Sequence, residues 1–192
     1  MVVSGRDAGR GEAVVKEIVT AGGRIDVLVN NAGIYPAATT TTLDEETFDR
    51  IYQVNVKAPF FLTAAVAPGM AARGGGAVIN LGSWVARLGV PVGSLYAATK
   101  GALETLTRAW SAKFGPAGVR VNAISPGVVH ESPDDLPGAA VAMMRGTPAG
   151  RAGTPDAIAL AAVYLASDEA AFTHGAVLDV DGGRAGVAVV AG

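Results

Sequence analysis

Short valine-rich apolar runs that alternate with longer segments of helical period predict an α/β fold. The expected architecture is a doubly wound parallel sheet of about five strands, covered by helices on both faces in three layers. Two further observations support it. The runs are apolar throughout instead of alternating with polar residues, as strands buried on both faces require. The 26 glycines are spread between the runs, where they read as turns, and are not gathered into a low-complexity tract. With 192 residues, half of them apolar, the chain is long enough for one substantial core, so a single domain over residues 1–192 is expected.

The elements follow in order. A strand at 2–4 and a helix at 9–21 form a strand–helix unit within 1–23, and the next strand is at 26–30. A long helix is expected over 44–72, bent near Pro59 and Pro68, because an interior proline removes a backbone donor and clashes with the preceding turn. Asp44, followed by Glu46 and Thr47, gives that helix a good N-terminal cap. Strands at 77–81 and 120–124 flank a helix at 94–114. A less regular stretch, 130–153, holds Pro133, Pro137 and Pro148 and a short amphipathic piece at 141–145. It follows a strand end, where open α/β sheets place their ligands, so it reads either as a mobile cover for a substrate or as an ordinary surface connection. Thr154 before Pro155 places a capping hydroxyl ahead of a first-turn proline, starting a helix at 155–166, and a strand at 176–180 completes the sheet.

Composition narrows the function. A net charge of −2 supplies no basic field for nucleic acid or an anionic membrane. The absence of cysteine excludes disulfides and thiolate-held zinc, and His130 and His174 alone are a poor basis for any metal site. No segment approaches the roughly 18 uncharged apolar residues of a membrane span. A protein of the reducing cytoplasm is expected, with neither nucleic acid nor membrane as partner.

Chemistry concentrates in the middle of the chain. Tyr96 and Lys100 stand four apart near a helix start, so both side chains emerge on one face. A phenol titrates near 10, and a cation a few ångströms away favours the phenolate and brings the group toward working pH. Taken alone, such a pair is more often a packed ring and a solvated amine. Ser83 adds weight, because it follows the 77–81 strand at the carboxyl end of the sheet and can hydrogen-bond a substrate carbonyl oxygen. Asn55 is an amide within a helix where a plain core or surface residue is usual, and it can hold a water beside Lys100. Trp84 and Leu88, flanking Ser83, suggest an apolar pocket wall, the alternative being simple packing.

Asn30-Asn31-Ala32-Gly33, Asn55, Ser83, Tyr96-Ala97-Ala98-Thr99-Lys100 and Pro126-Gly127 occur in the order and spacing of the short-chain dehydrogenase/reductase family, which the chain resembles over most of its length. The segments Arg120-Val121-Asn122-Ala123-Ile124, Arg151-Ala152-Gly153-Thr154-Pro155, Leu165-Ala166-Ser167-Asp168 and Asp181-Gly182-Gly183 add to the resemblance. It implies a Rossmann-like fold and hydride exchange between NADP or NAD and a small-molecule carbonyl or secondary alcohol. It also implies Tyr96 as acid or base, Lys100 lowering the Tyr96 pKa and binding the nicotinamide ribose, Ser83 orienting the substrate oxygen, and Asn55 supporting a water-linked proton relay. Asn30, Ala32 and Gly33 would approach the adenosine side and pack the sheet core, while Pro126, Gly127 and Val129 would frame the nicotinamide. A homo-oligomer, dimer or tetramer, is implied through the helices starting near Asp44 and Ser94 and the 176–180 strand.

The chain departs from the family at its start. Members open with a strand and a Gly-x-x-x-Gly-x-Gly turn that brings backbone N–H groups to the pyrophosphate. Residues 1–21 instead look like the family's second strand and helix, and two βα units of ~30 residues each are expected to be absent. Gly5, Gly9 and Gly11 nonetheless spell the pattern, so the retained unit can take the first-strand position beside 26–30. Arg6, with no acid ending the 2–4 strand, favours NADP over NAD. Glu131 stands where the family often has a threonine that contacts the carboxamide. Two functions stay open: a working NAD(P)-dependent oxidoreductase, and a shortened relative without catalysis that acts as a subunit or binding protein.

Overall fold

The computed structural model describes residues 13–14, 16–18, 20–91, 93–132 and 138–188. Four strands, β1 (Val27–Asn30), β2 (Gly76–Leu81), β3 (Val119–Pro126) and β4 (Val177–Val180), lie in one parallel sheet in that spatial order. The register aligns Asn30 with Asn80 and Leu81 with Ile124, so the carboxyl ends of the strands share one edge. The expected fifth strand, at 2–4, lies outside the described residues, as do the 5–11 glycine turn and Arg6; of the expected 9–21 helix, residues 13–14, 16–18 and 20 are helical.

The strands sort their side chains by the period of two. Leu28, Val78, Val119 and Val121 face α2 (Ala58–Ala72) and α3 (Ser94–Phe114), packing with Val66, Met70 and Trp110. Ile79, Leu81 and Ile124 face α5 (Pro155–Ala166), where they meet Leu165 and Ala170. This is the expected three-layer arrangement, and β2 and β3, buried on both faces, account for the unbroken apolar runs. Arg120 secures the second layer, its guanidinium donating to the carbonyls of Leu165 (2.5 Å), Ala166 (3.1 Å), Ser167 (3.0 Å) and Ala170 (3.4 Å) past the end of α5. The Leu165 and Ala166 carbonyls, in the last turn of α5, have no partner within the helix, while those of Ser167 and Ala170 also accept the N–H groups of Ala170 and Thr173.

The expected helix at 44–72 is α1 (Glu45–Tyr52), a π-helical turn (Gln53–Lys57) and α2. Asp44 caps α1 as expected, accepting from the Thr47 N–H at 2.7 Å. The irregularity falls before Pro59, where the Ala58 N–H bonds back to the Gln53 carbonyl. Pro59 has no N–H and its ring crowds the Asn55 carbonyl, so the chain widens by one residue per turn just ahead of it. Pro68 does not break α2; the buried face of Thr63, Val66, Ala67 and Met70 holds the helix through it. Thr154 occupies the N-cap position of α5, but its hydroxyl makes no capping bond, contrary to the expectation.

The described part of 130–153 holds α4 (Gly138–Met144). Its two ends meet in a bridge between Val129 and Gly153, closed by His130 N–H to Gly153 O and Gly153 N–H to Val128 O, each at 3.0 Å. Among the described residues no helix is long and apolar enough to cross a membrane.

Candidate active site

Three strand ends and the first turns of α3 build the site. β2 continues into Gly82, whose N–H bonds to the Ile124 carbonyl at 2.8 Å, and then into Ser83, buried and extended. Gly93, at φ 70°, starts α3 in the left-handed conformation that glycine adopts without strain. One helical face then presents Tyr96 and Lys100 to the same cleft.

Lys100 is 3% exposed and donates to the Leu81 carbonyl at 2.6 Å, with Nζ 5.5 Å from the centre of the Tyr96 ring. Burial brings its ammonium from 10.5 down to about 8. The Tyr96 phenol is pushed up, chiefly by burial and in small part by Tyr35, while a hydrogen bond with Ser83 pulls it down. Burial therefore outweighs the expected lowering by Lys100. Its Nζ is tied to a backbone carbonyl under the ring, and the same burial that raises the phenol weakens the cation.

Asn55 lies in the π-helical turn and is fully buried. Its Oδ1 accepts the Ile34 N–H at 2.9 Å, and its Nδ2 donates to the Ile34 carbonyl at 3.0 Å and to Thr99 Oγ1 at 3.1 Å. Thr99 in turn donates to the Tyr96 carbonyl at 2.7 Å. The amide therefore ties the loop after β1 to the helix carrying Tyr96 and Lys100, and both of its side-chain hydrogens are engaged in doing so. Asn30 works alike in the core: Nδ2 donates to Asn80 Oδ1 at 2.8 Å and to Thr63 at 3.3 Å, and Asn80 donates to Thr107 at 2.8 Å.

A cleft of about 610 Å³ opens over these strand ends, within the range of small-molecule sites. Asn30, Ala32, Gly33, Tyr96, Lys100, Pro126 and Val129 line it. Ser83, Asn55 and Gly127 are not among its lining residues. Gly127 is packed against Asp181, where a Cβ would come within 2.6 Å of the Asp181 Cα. Trp84 and Leu88 do not line the cleft; Trp84 is buried beneath the Arg184 guanidinium, 5.2 Å from its ring. Glu131 is exposed.

Two parts of the wall escaped sequence reasoning. Tyr35, half-exposed, meets Tyr96 edge to face with ring centres 4.7 Å apart, and Ile158, Ala159 and Ala162 of α5 form the far side. Nothing in their spacing marks them. The one trace is Gly93: a Cβ there would lie 2.5 Å from the Tyr35 ring.

The residues present fit a nicotinamide dinucleotide on two observations. The buried Asn30 Oδ1 has no hydrogen-bond partner. At Gly33 an added Cβ would stand 3.4 Å from Lys100 Nζ and 3.6 Å from Asn55 Oδ1, so a side chain there would crowd the approach to the lysine.

A parallel sheet with a serine, a tyrosine and a lysine gathered at its carboxyl edge over such a cleft defines an oxidoreductase of the dinucleotide-binding α/β class. Comparison with known proteins places it more closely. A family model described as enoyl-(acyl carrier protein) reductase matches residues 4–185. A 3-oxoacyl-[acyl-carrier-protein] reductase of Thermotoga maritima is 39% identical over 174 residues, 88% of this chain and 70% of that protein. An inactive 2-(S)-hydroxypropyl-CoM dehydrogenase of Xanthobacter autotrophicus is 39% identical over 173 residues, 86% of this chain and 75% of that protein. The crystal structure of a gluconate 5-dehydrogenase from Burkholderia cenocepacia, in complex with NADP and tartrate, superimposes with a TM-score of 0.88 at 34% identity, covering 95% of this chain and 73% of that one. The chain belongs to the short-chain dehydrogenase/reductase family.

Proposed function

We propose that this protein is an NAD(P)-dependent oxidoreductase acting on a small carbonyl compound or secondary alcohol, with Tyr96 as general acid and base. The observation that carries this reading is the pairing of Tyr96 with Lys100, whose Nζ lies 5.5 Å from the ring centre, on the wall of a cleft bordered by Gly33, Pro126 and Val129. The nicotinamide, when bound, supplies or accepts the hydride.

The chain's own residues manage the oxygen and its proton. A phenol pushed up by burial is protonated near neutral pH, so Tyr96 is ready to donate to a carbonyl oxygen as negative charge develops on it. Ser83 holds that oxygen by a hydrogen bond from its hydroxyl. Lys100, mostly cationic below its pKa of about 8, stabilises the phenolate left behind and binds the nicotinamide ribose next to Gly33. Asn55 fixes the loop carrying Gly33 against α3, and Ala32, Pro126 and Val129 border the nicotinamide. NADP is favoured over NAD by Arg6 in the opening segment and by the NADP held by the gluconate dehydrogenase. The apolar wall formed by Ile158, Ala159 and Ala162 gives the cleft a dry side. A homo-oligomer is in keeping with the exposed Leu160, Val163 and Tyr164 on α5.

The test is nucleotide binding followed by carbonyl-dependent oxidation of NADPH and NADH by the purified chain. Tyr96→Phe should lower kcat by about 10²- to 10⁴-fold while sparing nucleotide binding, since only the proton donor is lost. No binding at millimolar nucleotide would refute the reading. Binding without turnover would favour a non-catalytic family member, in line with a 39% identical relative that is named inactive.

A further inference from the structure

Four residues after Ser83, outside the cleft, a cluster of charges joins three elements. The Arg87 guanidinium donates to both carboxylate oxygens of Asp179 on β4, through Nη1 at 3.0 Å and through Nη2. Nη2 also donates to Ser125 Oγ on β3 at 3.0 Å, and Nε lies 3.8 Å from Glu104 Oε2 on α3. Glu104 stands one helical turn beyond Lys100, so its carboxylate lies on the helix face turned toward the site. Its other oxygen, Oε1, is buried, makes no hydrogen bond, and is 3.1 Å from where a Cβ on Gly82 would be. The residue before Ser83 is thus a glycine against which a carboxylate is packed, and the residue four positions later holds that carboxylate's counter-charge.

We propose that Arg87, with Glu104 and Asp179 as its anchors, is a positioning residue that clamps the Ser83 turn between α3, β3 and β4 and so holds the serine hydroxyl at the Tyr96 phenol. Backbone bonds from Ala86 and Arg87 N–H close the turn on itself, and buried Trp84 seats it, but among the described side chains Arg87 is the one in the turn that reaches α3, β3 and β4 by polar contacts. The short helical turn after Ser83 has no side-chain cap, and the Gly82 N–H to Ile124 bond secures only its beginning. A bidentate guanidinium–carboxylate pair fixes direction as well as distance. The groups facing Glu104 are Arg87 from the turn, Arg108 from its own helix and Asp179 from β4; burial raises its pKa, and the two cations oppose that. Without Arg87 the buried carboxylate would lose its nearest counter-charge.

This rests on Ser83 and Tyr96 forming the reacting pair, so its test includes a readout independent of turnover. The chain has two tryptophans, and Trp84 follows Ser83 directly. In a Trp110→Phe background, Arg87→Met should increase quenching of Trp84 by acrylamide several-fold, and Arg87→Lys, which keeps the charge and one donor, should restore part of the protection. Arg87→Met/Glu104→Gln removes the uncompensated carboxylate and guards against simple misfolding; the turn should remain quenchable, because the tie to Asp179 and Ser125 is still missing. In the active protein, Arg87→Met should lower kcat by roughly ten- to a hundredfold, as a displacement near 1 Å does, with nucleotide KM within about twofold. Unchanged Trp84 quenching in folded Arg87→Met, or full protection in the double variant, would overturn the clamp. An absence of turnover in the parent would overturn the function proposed above while leaving the quenching test in force.

Discussion

The pH dependence of stability isolates Lys100. The native side chain, 3% exposed, holds its proton only up to about pH 8, whereas the unfolded chain keeps it to the ordinary 10.5. Between those values the unfolded state binds more protons than the native state, so stability rises with pH across that window and is lower below it. At about 1.4 kcal/mol per unit, the gain from roughly pH 7 to roughly pH 9.5 is about 2 kcal/mol. Tyr96 acts in the opposite sense: its phenol is raised above 10, so its contribution is lost as pH rises past the ordinary tyrosine value. Lys100→Met separates the two, since Tyr96 is common to both proteins. Urea unfolding at a series of pH values should show the parent gaining about 2 kcal/mol relative to Lys100→Met over this range. The measurement is a difference of slopes, so the loss of the bond to the Leu81 carbonyl in the variant does not enter. Parallel curves, within about 0.5 kcal/mol, would show that Lys100 keeps a solution-like pKa in its buried position, and the reasoning from burial would fail.

Asn55→Ala strands the N–H and carbonyl of Ile34, and should cost about 2–4 kcal/mol in urea unfolding; a loss below about 1 kcal/mol would show that solvent reaches them. Arg120→Met uncovers the Leu165 and Ala166 carbonyls at the end of α5 and should cost about 2 kcal/mol or more, read from thermal unfolding, with the loss concentrated in hydrogen-exchange protection of α5. Tyr35→Ala opens Tyr96 to solvent, so its phenol should titrate closer to 10, measured as the difference between the Tyr35→Ala protein and its Tyr35→Ala/Tyr96→Phe counterpart; an upward shift would contradict burial as the main cause.

Local rules carried most of the fold. The helices at 94–114 and 155–166 and the Asp44 cap were legible because each is decided within a few residues, by period, cap and proline. What failed depends on packing. Pro59 signals an irregularity, but whether the chain bends, breaks or widens into a π turn is settled by how Asn55 must reach Ile34 and Thr99. Pro68 is silent because the buried face of α2 outweighs its local cost. In the site, the gathering of Tyr96 and Lys100 on one cleft follows from motif spacing, whereas the direction of the Tyr96 shift does not. Spacing places Lys100 near the ring; only the fold reveals that Nζ is bound to Leu81 O and that burial, not the cation, dominates.

The polar groups at the strand ends explain why the two halves of the site are rigid with respect to each other. Asn30, Asn80 and Thr107 form a buried chain of hydrogen bonds from β1 through β2 to α3, and Asn55 forms a second from the loop after β1 to the first turns of α3. A buried amide left without partners is costly, so each chain permits few arrangements of the elements it joins. The wall that would meet the nicotinamide at Gly33 and the helix that carries Tyr96 and Lys100 are therefore one mechanical unit, in which a shift of one carries the other with it. The Ser83 turn belongs to neither chain; it is reached through Gly82 and through Arg87. Of the three groups proposed to handle the substrate oxygen and its proton, Ser83 is the one whose position depends on a surface-facing ion pair, and so the one most open to adjustment by change outside the cleft.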